Sequence, residues 1–196
     1  MKTINSKQKS SGEFWENLRE EFMKGPPIFV RRGWKSPLLG KSMSLGWLDD
    51  LMNGESGFEW VKGQDEWEDG WRDKKLLVLE FWTSWCGPCL RAFSQFTQLA
   101  ETYDASVLMA GINSEEIFSG DEIDIDSVFS FVQTRNDMNF PVVVDSERTA
   151  LRELFDKAGR RAVPTVIIVS IRDGVVHFVG DPADVGEAVD RLLGDY

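Results

Sequence analysis

Residues 76–89 read LLVLEFWTSWCGPC, and this stretch decides the fold. Its first seven residues form a nearly continuous apolar run, which is typical of a strand buried on both faces of a sheet. The run leads to two cysteines, Cys86 and Cys89, that are separated by Gly-Pro. Beyond them, apolar residues recur at helical spacing from Leu90 to Ala100. The stretch therefore predicts a strand, a pair of thiols and a helix, in that order.

The residues that follow repeat this alternation of strands and helices. Apolar runs predict further strands at residues 107–112, 141–144, 163–169 and 175–179. Helical patterns predict helices at residues 128–132, 148–157 and 185–193. Residues 172–174, Arg-Asp-Gly, predict a hairpin turn between the last two strands. This order of elements predicts an α/β fold in which helices cover both faces of a central mixed β-sheet.

Size and charge limit what the protein can be. A chain of 196 residues with 42% hydrophobic residues is long enough for one domain with a sizeable core. Its 33 acidic residues outnumber the 22 basic ones and give a net charge of -11, which repels phosphate backbones and anionic lipids. We therefore expect binding neither to nucleic acid nor to a membrane surface.

The sequence also bears on the compartment. No apolar stretch approaches the ~18 residues of a membrane span, and residues 1–10 are polar, without the hydrophobic segment of a secretory signal. With 2 cysteines, the chain has too few for a small secreted scaffold that depends on disulfides. These features predict a reducing compartment, the cytoplasm.

The N-terminal part of the chain is rich in tryptophan. Of the 8 tryptophans, all but two lie before residue 72. We expect residues 1–57 to form an extension with a disordered start, a helix from Glu13 and loops, and residues 58–196 to form the main domain. The extension is interpreted either as an additional layer packed on the sheet or as a module that docks a partner, because Trp is enriched at interfaces.

Two thiols with this spacing at the start of a helix can close a disulfide and reopen it. Unpaired backbone N–H groups and the helix dipole stabilise a thiolate on Cys86, near the helix N-terminus, and the thiolate is the reactive form. Cys89, one turn further and more buried, can attack a mixed disulfide formed on Cys86. Pro88 fixes the backbone between them and is tolerated in the first turn of a helix.

Three other interpretations of the cysteine pair remain open. A zinc site needs about four ligands, and the sequence has no further cysteine and a single histidine, His177. A purely structural disulfide across so short a loop contributes little to stability. Two inert core cysteines are the third alternative. The order of strand, motif and helix favours redox chemistry, for which we expect the disulfide itself to suffice, without a metal or an organic cofactor.

Residues 80–89 resemble the active-site segment of the thioredoxin superfamily, and Val163-Pro164-Thr165 is similar to the cis-proline turn that faces the dithiol in that family. Residues 58–63 are similar to the extra N-terminal strand of its TlpA/ResA-like branch, and both residues 139–145 and an insertion between the second and third core strands are also similar to that branch. The similar region covers residues 58–196. The resemblance implies a thioredoxin-like fold with a central mixed sheet flanked by helices.

The resemblance also implies roles around the dithiol. Glu80 stands where the family has a buried acid, and burial raises the pKa of a carboxyl group. Such an acid could exchange a proton with Cys89, unless Glu80 lies solvated at a strand edge. A cis bond before Pro164 would expose the backbone of Val163 to an extended substrate, whereas a trans proline could simply begin a strand. The residues expected to bind substrate are Trp85, Gly87, Pro88, Val163 and Pro164.

Two positions depart from the family pattern. Ser94 stands where many members have a proline that kinks the helix after the dithiol. Ala92 stands where TlpA-like members often have a glutamate. The first departure predicts a helix without that kink.

The sequence predicts a thiol–disulfide oxidoreductase that acts as a disulfide reductase, with Cys86 as nucleophile and Cys89 as resolving cysteine. Its substrates would be disulfide-containing proteins or small molecules, and an external thiol reductant or reductase would regenerate the dithiol. A thiol peroxidase is one alternative, although Leu79 stands where the peroxidatic signature has a proline. The other alternative is a thioredoxin-fold module that binds partners or senses redox state without catalysis.

Overall fold

The computed structural model describes residues 35–43, 46, 57–68, 71–114 and 124–195. The disordered start and the helix expected from Glu13 lie outside these residues. The division of the chain at residue 57 into an extension and a main domain therefore stays a prediction.

In the described part of the chain, six strands form one sheet with helices on both sides. The strands are β1 (Phe58–Lys62), β2 (Leu76–Trp82), β3 (Val107–Asn113), β4 (Val142–Asp145), β5 (Thr165–Ser170) and β6 (Val176–Gly180). The α-helices are α1 (Gln64–Glu68), α2 (Gly87–Thr102), α3 (Ile125–Gln133) and α4 (Val185–Gly194). Shorter elements are 3-10 turns at Trp71–Asp73 and Pro182–Asp184 and a π-helical segment at Leu151–Asp156.

The strand order across the sheet is β1-β4-β3-β2-β5-β6. Strand β2 runs parallel to β3 and antiparallel to β5, and β3 is parallel to β4. The outer pairs, β1 with β4 and β5 with β6, are antiparallel. Every residue of β2 is buried, because this strand has a neighbour on each side and packed elements on each face. The predicted α/β fold with a mixed, helix-flanked sheet is confirmed.

Alternate side chains of β2 enter two separate hydrophobic clusters. The apolar even-numbered residues pack against α2 and α4 in a cluster that includes Cys86 and Cys89. The odd-numbered residues pack with Trp67, Trp71 and the π-helical segment on the opposite face. We call the side of the sheet that carries the cysteines the dithiol face.

The helix expected at residues 148–157 is shorter and wound differently. It is the π-helical segment Leu151–Asp156. Arg148 has a φ of 60°, in the left-handed region that a right-handed helix excludes. Buried Asp145 accepts hydrogen bonds from the backbone N–H groups of Thr149 (2.7 Å) and Leu151 (2.8 Å). The turn that these bonds stabilise takes up the first residues of the expected helix.

Residues 35–43, part of the expected extension, pack on the domain near the start of β6. The N–H of Gly40 donates a hydrogen bond to the carbonyl of Val176 at 2.8 Å. The hydroxyl of Ser36 donates to the carbonyl of Ala158 at 2.9 Å. These contacts attach residues 35–43 to the domain, whereas the tryptophans of the expected extension lie outside the described residues.

A glycine in β3 makes room for two aromatic rings. Gly111 lies opposite Glu80 in the parallel pair of β3 and β2. A Cβ atom at this position would lie 2.9 Å from Cε2 of Phe140 and 3.0 Å from Nε1 of Trp82. The two rings therefore occupy the space that a larger side chain would need.

We expect Gly111→Ala to lower the free energy of unfolding by about 1–3 kcal/mol, the usual cost of overpacking a core. Gly194→Ala is the control, because nothing lies within 4 Å of a Cβ atom there, and we expect no loss of stability from it. Urea unfolding of both oxidised variants measures the difference. An unchanged stability of Gly111→Ala would show that the two rings move aside freely.

Candidate active site

Cys86 is the N-cap residue of α2. Its backbone is extended (φ -80°, ψ 96°), and its Sγ atom accepts a hydrogen bond from the N–H of Cys89 at 3.2 Å. Pro88 lies in the first turn of the helix, where an N–H group has no partner within the helix. Because the first N–H groups of a helix point towards its N-cap, the sulfur of Cys86 lies where a negative charge is stabilised.

The two cysteines are joined by a disulfide bond. Their Cα atoms are 5.3 Å apart, within the range that a disulfide requires. Cys89 is fully buried, whereas Cys86 keeps an exposed fraction of 5% and is followed by exposed Gly87. Of the two sulfurs, an incoming group therefore reaches that of Cys86 first.

Two tryptophans flank the dithiol in different environments. Trp82 is fully buried in the cluster that contains both cysteines, and its ring meets the ring of Phe93 edge-on at 5.3 Å. Trp85, next to Cys86, is 58% exposed. The first ring supports the dithiol from the core, and the second offers an apolar surface beside the accessible sulfur.

Glu80 lies in the middle of the central strand. It pairs with Gly111 of β3 and Val166 of β5, and it is fully buried. Neither of its carboxyl oxygens has a hydrogen-bond partner in the part of the chain that the structure describes. Desolvation by burial raises the pKa of Glu80 well above its usual range. The alternative of a solvated carboxylate at a strand edge is therefore wrong.

The carboxyl group of Glu80 is on the dithiol face of the sheet. Successive side chains of a strand alternate between its faces. Val78 and Trp82, two residues before and after Glu80, both belong to the cluster that includes the cysteines. Glu80 and Cys89 therefore lie on the same side of β2.

Further buried polar atoms lie at the ends of the strands next to the dithiol. Trp82 Nε1, Thr83 Oγ1 and both amide atoms of the Asn113 side chain are without a hydrogen-bond partner within the described ranges. Trp82 and Asn113 are opposite each other in β2 and β3. Buried polar atoms are usually paired, so the ends of β2 and β3 are unusually polar for a core. The sequence interpretation missed Thr83 and Asn113, although each directly follows an apolar run.

The turn at Val163 and Pro164 lies at the same end of the sheet as the dithiol. The peptide bond between these two residues is cis. Thr165 pairs with Phe81 across β5 and β2, so the turn continues beside the residues that lead from β2 to Cys86. Val163 is half-buried and packs against the cluster that includes both cysteines. The fold thus brings the two segments of the expected site together.

Neither a metal cluster nor a membrane span is found among residues 35–43, 46, 57–68, 71–114 and 124–195. No three His, Cys, Asp or Glu side chains are grouped there as metal ligands would be. No helix in these ranges is both long enough and apolar enough to cross a bilayer.

Comparison with known proteins agrees with this geometry. The thioredoxin family model matches residues 60–156. The chain belongs to the thioredoxin superfamily. Its thioredoxin-like fold also matches a solved thiol-disulfide isomerase from Corynebacterium glutamicum with a TM-score of 0.53 and 21% identity, over 70% of this chain and 89% of that one.

Two curated relatives are similar to parts of the thioredoxin-like domain. A thioredoxin from Chlorobaculum thiosulfatiphilum is 43% identical over 44 residues, which are 22% of this chain and 40% of the relative. Sporulation thiol-disulfide oxidoreductase A from Bacillus subtilis (strain 168) is 30% identical over 77 residues, 39% of this chain and 44% of the relative. The aligned segments therefore span less than half of either relative.

We expect the stability of the thioredoxin-like domain to depend on pH through Glu80. Burial raises the pKa of Glu80 in the folded protein above its usual value of 4.5, so the folded protein holds a proton that the unfolded chain has released. Stability therefore falls as the pH rises from the unfolded pKa through the folded one. Glu80→Gln does not titrate and should lose this fall.

Urea unfolding of the oxidised protein between about pH 4 and pH 8 measures this difference, and we expect the two curves to diverge above about pH 5. Glu59→Gln removes an exposed glutamate of β1 and is the control, for which we expect a curve parallel to wild type. A wild-type curve parallel to that of Glu80→Gln would contradict an unpaired, buried carboxyl group.

Proposed function

We propose that the protein is a thiol–disulfide oxidoreductase that reduces disulfide bonds through Cys86 and Cys89. The observation that carries this proposal is the disulfide-bonded pair at a helix N-terminus, in which Cys86 keeps 5% of its surface exposed and Cys89 keeps none. The name of the relative sporulation thiol-disulfide oxidoreductase A supports the same chemistry. Strand β1 and the inserted α3 and β4 support a place in the TlpA/ResA-like branch.

The first step takes place at Cys86. In the reduced protein, its thiolate attacks one sulfur of the substrate disulfide, and the other substrate sulfur leaves as a thiolate. A mixed disulfide between Cys86 and the substrate results. The N-terminus of α2 favours the anionic, reactive form of the thiol.

Substrate binding uses the surface around the accessible sulfur. Trp85 gives an apolar contact on one side of Cys86, and exposed Gly87 and partly exposed Pro88 leave the approach open. The turn at Val163 and Pro164 lies at the same end of the sheet. We propose that an extended substrate segment binds along the backbone of this turn while its disulfide meets Cys86.

The second step takes place at Cys89. Glu80 accepts the proton of the Cys89 thiol, and the resulting thiolate attacks Sγ of Cys86. The remaining substrate sulfur leaves as a thiolate, so two electrons have passed to the substrate and the Cys86–Cys89 disulfide has formed. The raised pKa of Glu80 suits this role, because a stronger base takes a thiol proton more readily.

An external thiol reductant or reductase then returns two electrons and restores the dithiol. The Gly-Pro pair between the cysteines is that of thioredoxin, whose potential of about −270 mV favours reduction of other disulfides. We therefore propose net reduction, in a reducing compartment such as the cytoplasm. The electrons are carried by the sulfurs themselves.

We expect the wild-type protein to accelerate the reduction of insulin by dithiothreitol and Cys86→Ser to abolish this acceleration. Cys89→Ser keeps the nucleophile but lacks the resolving thiol, so a mixed disulfide should accumulate when the reduced variant is mixed with insulin in the absence of dithiothreitol. Non-reducing electrophoresis would show this adduct, and added dithiothreitol would remove it.

Equal insulin reduction with wild type and Cys86→Ser would instead favour a thioredoxin-fold module without catalysis. Turnover of hydrogen peroxide faster than that of insulin would favour a thiol peroxidase.

We expect Glu80→Gln to slow insulin reduction at neutral pH by roughly a hundredfold, the lower limit of the usual contribution of a general base. At alkaline pH the thiol of Cys89 ionises without help, so the rates of variant and wild type should converge. Glu59→Gln controls for the loss of one surface charge. A ratio of the Glu80→Gln rate to the wild-type rate that stays constant across the pH range would contradict proton transfer by Glu80.

A further inference from the structure

A largely buried ion pair lies beside the turn that we propose for substrate binding. Arg160 Nη2 donates a hydrogen bond to Asp181 Oδ1 at 2.9 Å, and the two side chains are only 11% and 13% exposed. Arg160 Nε donates a second hydrogen bond to Thr165 Oγ1 at 2.9 Å. The guanidinium group of Arg160, just before the turn, is thus hydrogen-bonded to Thr165, the first residue of β5, and to Asp181, the residue after β6.

A further hydrogen bond joins the two ends of the turn. Thr165 Oγ1 donates a hydrogen bond to the carbonyl of Ala162 at 2.8 Å, while it accepts the bond from Arg160. Arg161 and Ala162 are exposed and Val163 is half-buried. Core packing contributes little to the position of these exposed residues. The hydrogen bonds at both ends of the turn therefore contribute more to holding the turn in place.

The pair also connects the turn to the helix that carries the dithiol. Asp181 precedes Pro182, whose carbonyl accepts a hydrogen bond from Gln95 Nε2 at 2.7 Å. Gln95 is a buried residue of α2, the helix that begins directly after Cys86. A short path of hydrogen bonds and backbone therefore runs from the turn through Asp181 to α2.

The energetics of this pair favour a geometric role. Burying two charges is costly, and a buried ion pair is often no more stabilising than apolar residues of the same volume. Burial raises the pKa of Asp181, and the nearby Arg160 works against that rise. The guanidinium group fixes the orientation of its partners, because its planar fork bonds two of them at fixed angles.

We propose that Arg160 and Asp181 form a clamp that positions residues 161–164 for docking of protein substrates at Cys86. This proposal rests on the proposed function, because it assigns the binding of the substrate backbone to that turn. Arg160 is a positioning residue here: it acts through the turn and does not touch the reacting sulfurs. A displaced turn would lose part of its backbone contacts with a bound peptide, and losing contacts made equally in the ground state and the transition state raises KM with little change in kcat.

The clamp predicts a difference between large and small substrates. We expect Arg160→Gln to raise KM for insulin about tenfold while kcat changes by less than about twofold. Reduction of the small disulfide 5,5′-dithiobis(2-nitrobenzoic acid) should stay within about twofold of wild type, because this substrate needs the two cysteines but no contact with the turn. Arg160→Lys keeps the charge but loses the planar fork, so it should raise KM in the same direction.

Arg172→Gln is the matched control. Its side chain is 74% exposed in the hairpin between β5 and β6, so the variant removes the same charge outside the turn without removing the clamp, and its KM should equal that of wild type. A normal KM for Arg160→Gln, an equal loss on insulin and the small disulfide, or an equal rise of KM in Arg172→Gln would each overturn the proposal.

Two further measurements keep the test decisive. If Arg160→Gln does not fold, the double variant Arg160→Met, Asp181→Leu leaves no unpaired buried charge; a raised KM supports the clamp and a normal KM overturns it. Hydrogen exchange is independent of activity: faster exchange at residues 161–163 in Arg160→Gln supports the clamp, and unchanged exchange overturns it. Wild-type protein inactive on both disulfides would overturn the proposed function, and hydrogen exchange would still decide on the clamp.

Discussion

Cys86 lies where the central strand β2 leaves the sheet and α2 begins, so one short turn of backbone sets the positions of both sulfurs. Strand β2 is hydrogen-bonded to β3 and β5, and all its residues are buried. Its end therefore cannot shift without disrupting the sheet. A fixed strand end is what allows the N–H groups of the following helix to act on a sulfur at a defined place. The surrounding elements are arranged around this junction.

The same burial explains the chemistry of Glu80. A carboxyl group in a strand that is covered on both faces loses its water, and no hydrogen bond replaces that water among the residues that the structure describes. An unpaired carboxylate there is costly, so burial raises the pKa of Glu80 and the group keeps its proton to a higher pH than an exposed glutamate does. The packing that holds Cys86 in place is therefore also what makes Glu80 a group that can hold a proton. Burial of β2 therefore determines both the position of Cys86 and the raised pKa of Glu80.

Local patterns in the sequence predicted the central part of this arrangement. The apolar run before Cys86 indicates the buried strand β2, and the helical spacing after Cys89 indicates α2. Both patterns are formed by residues that are neighbours in the sequence. Helix α2 is continuous from Gly87 to Thr102. The π-helical segment was not predicted, because it depends on contacts of Asp145 with a backbone turn several residues further on.

Other features could not be read from neighbouring residues at all. Gly111 looked like an ordinary strand residue, since its importance comes from two rings that approach from other elements. Arg160 and Asp181 are far apart along the chain, and nothing in either local pattern indicates the other. They meet because the antiparallel pairing of β5 with β6 places the residues before one strand beside those after the other. Such pairs depend on register and topology, which periodicity does not specify.

The position of Gln95 shows why these distant residues bear on the dithiol. A substrate segment has to meet the sulfur of Cys86 and the turn at Val163 at the same time. If each were held by its own loop, their separation would vary with two independent motions. Here the hydrogen bond from Gln95 to the carbonyl of Pro182 links the base of the turn to the helix that begins at the dithiol. The sulfur of Cys86 and the turn at Val163 are therefore both connected to α2, and this helix sets the distance between them.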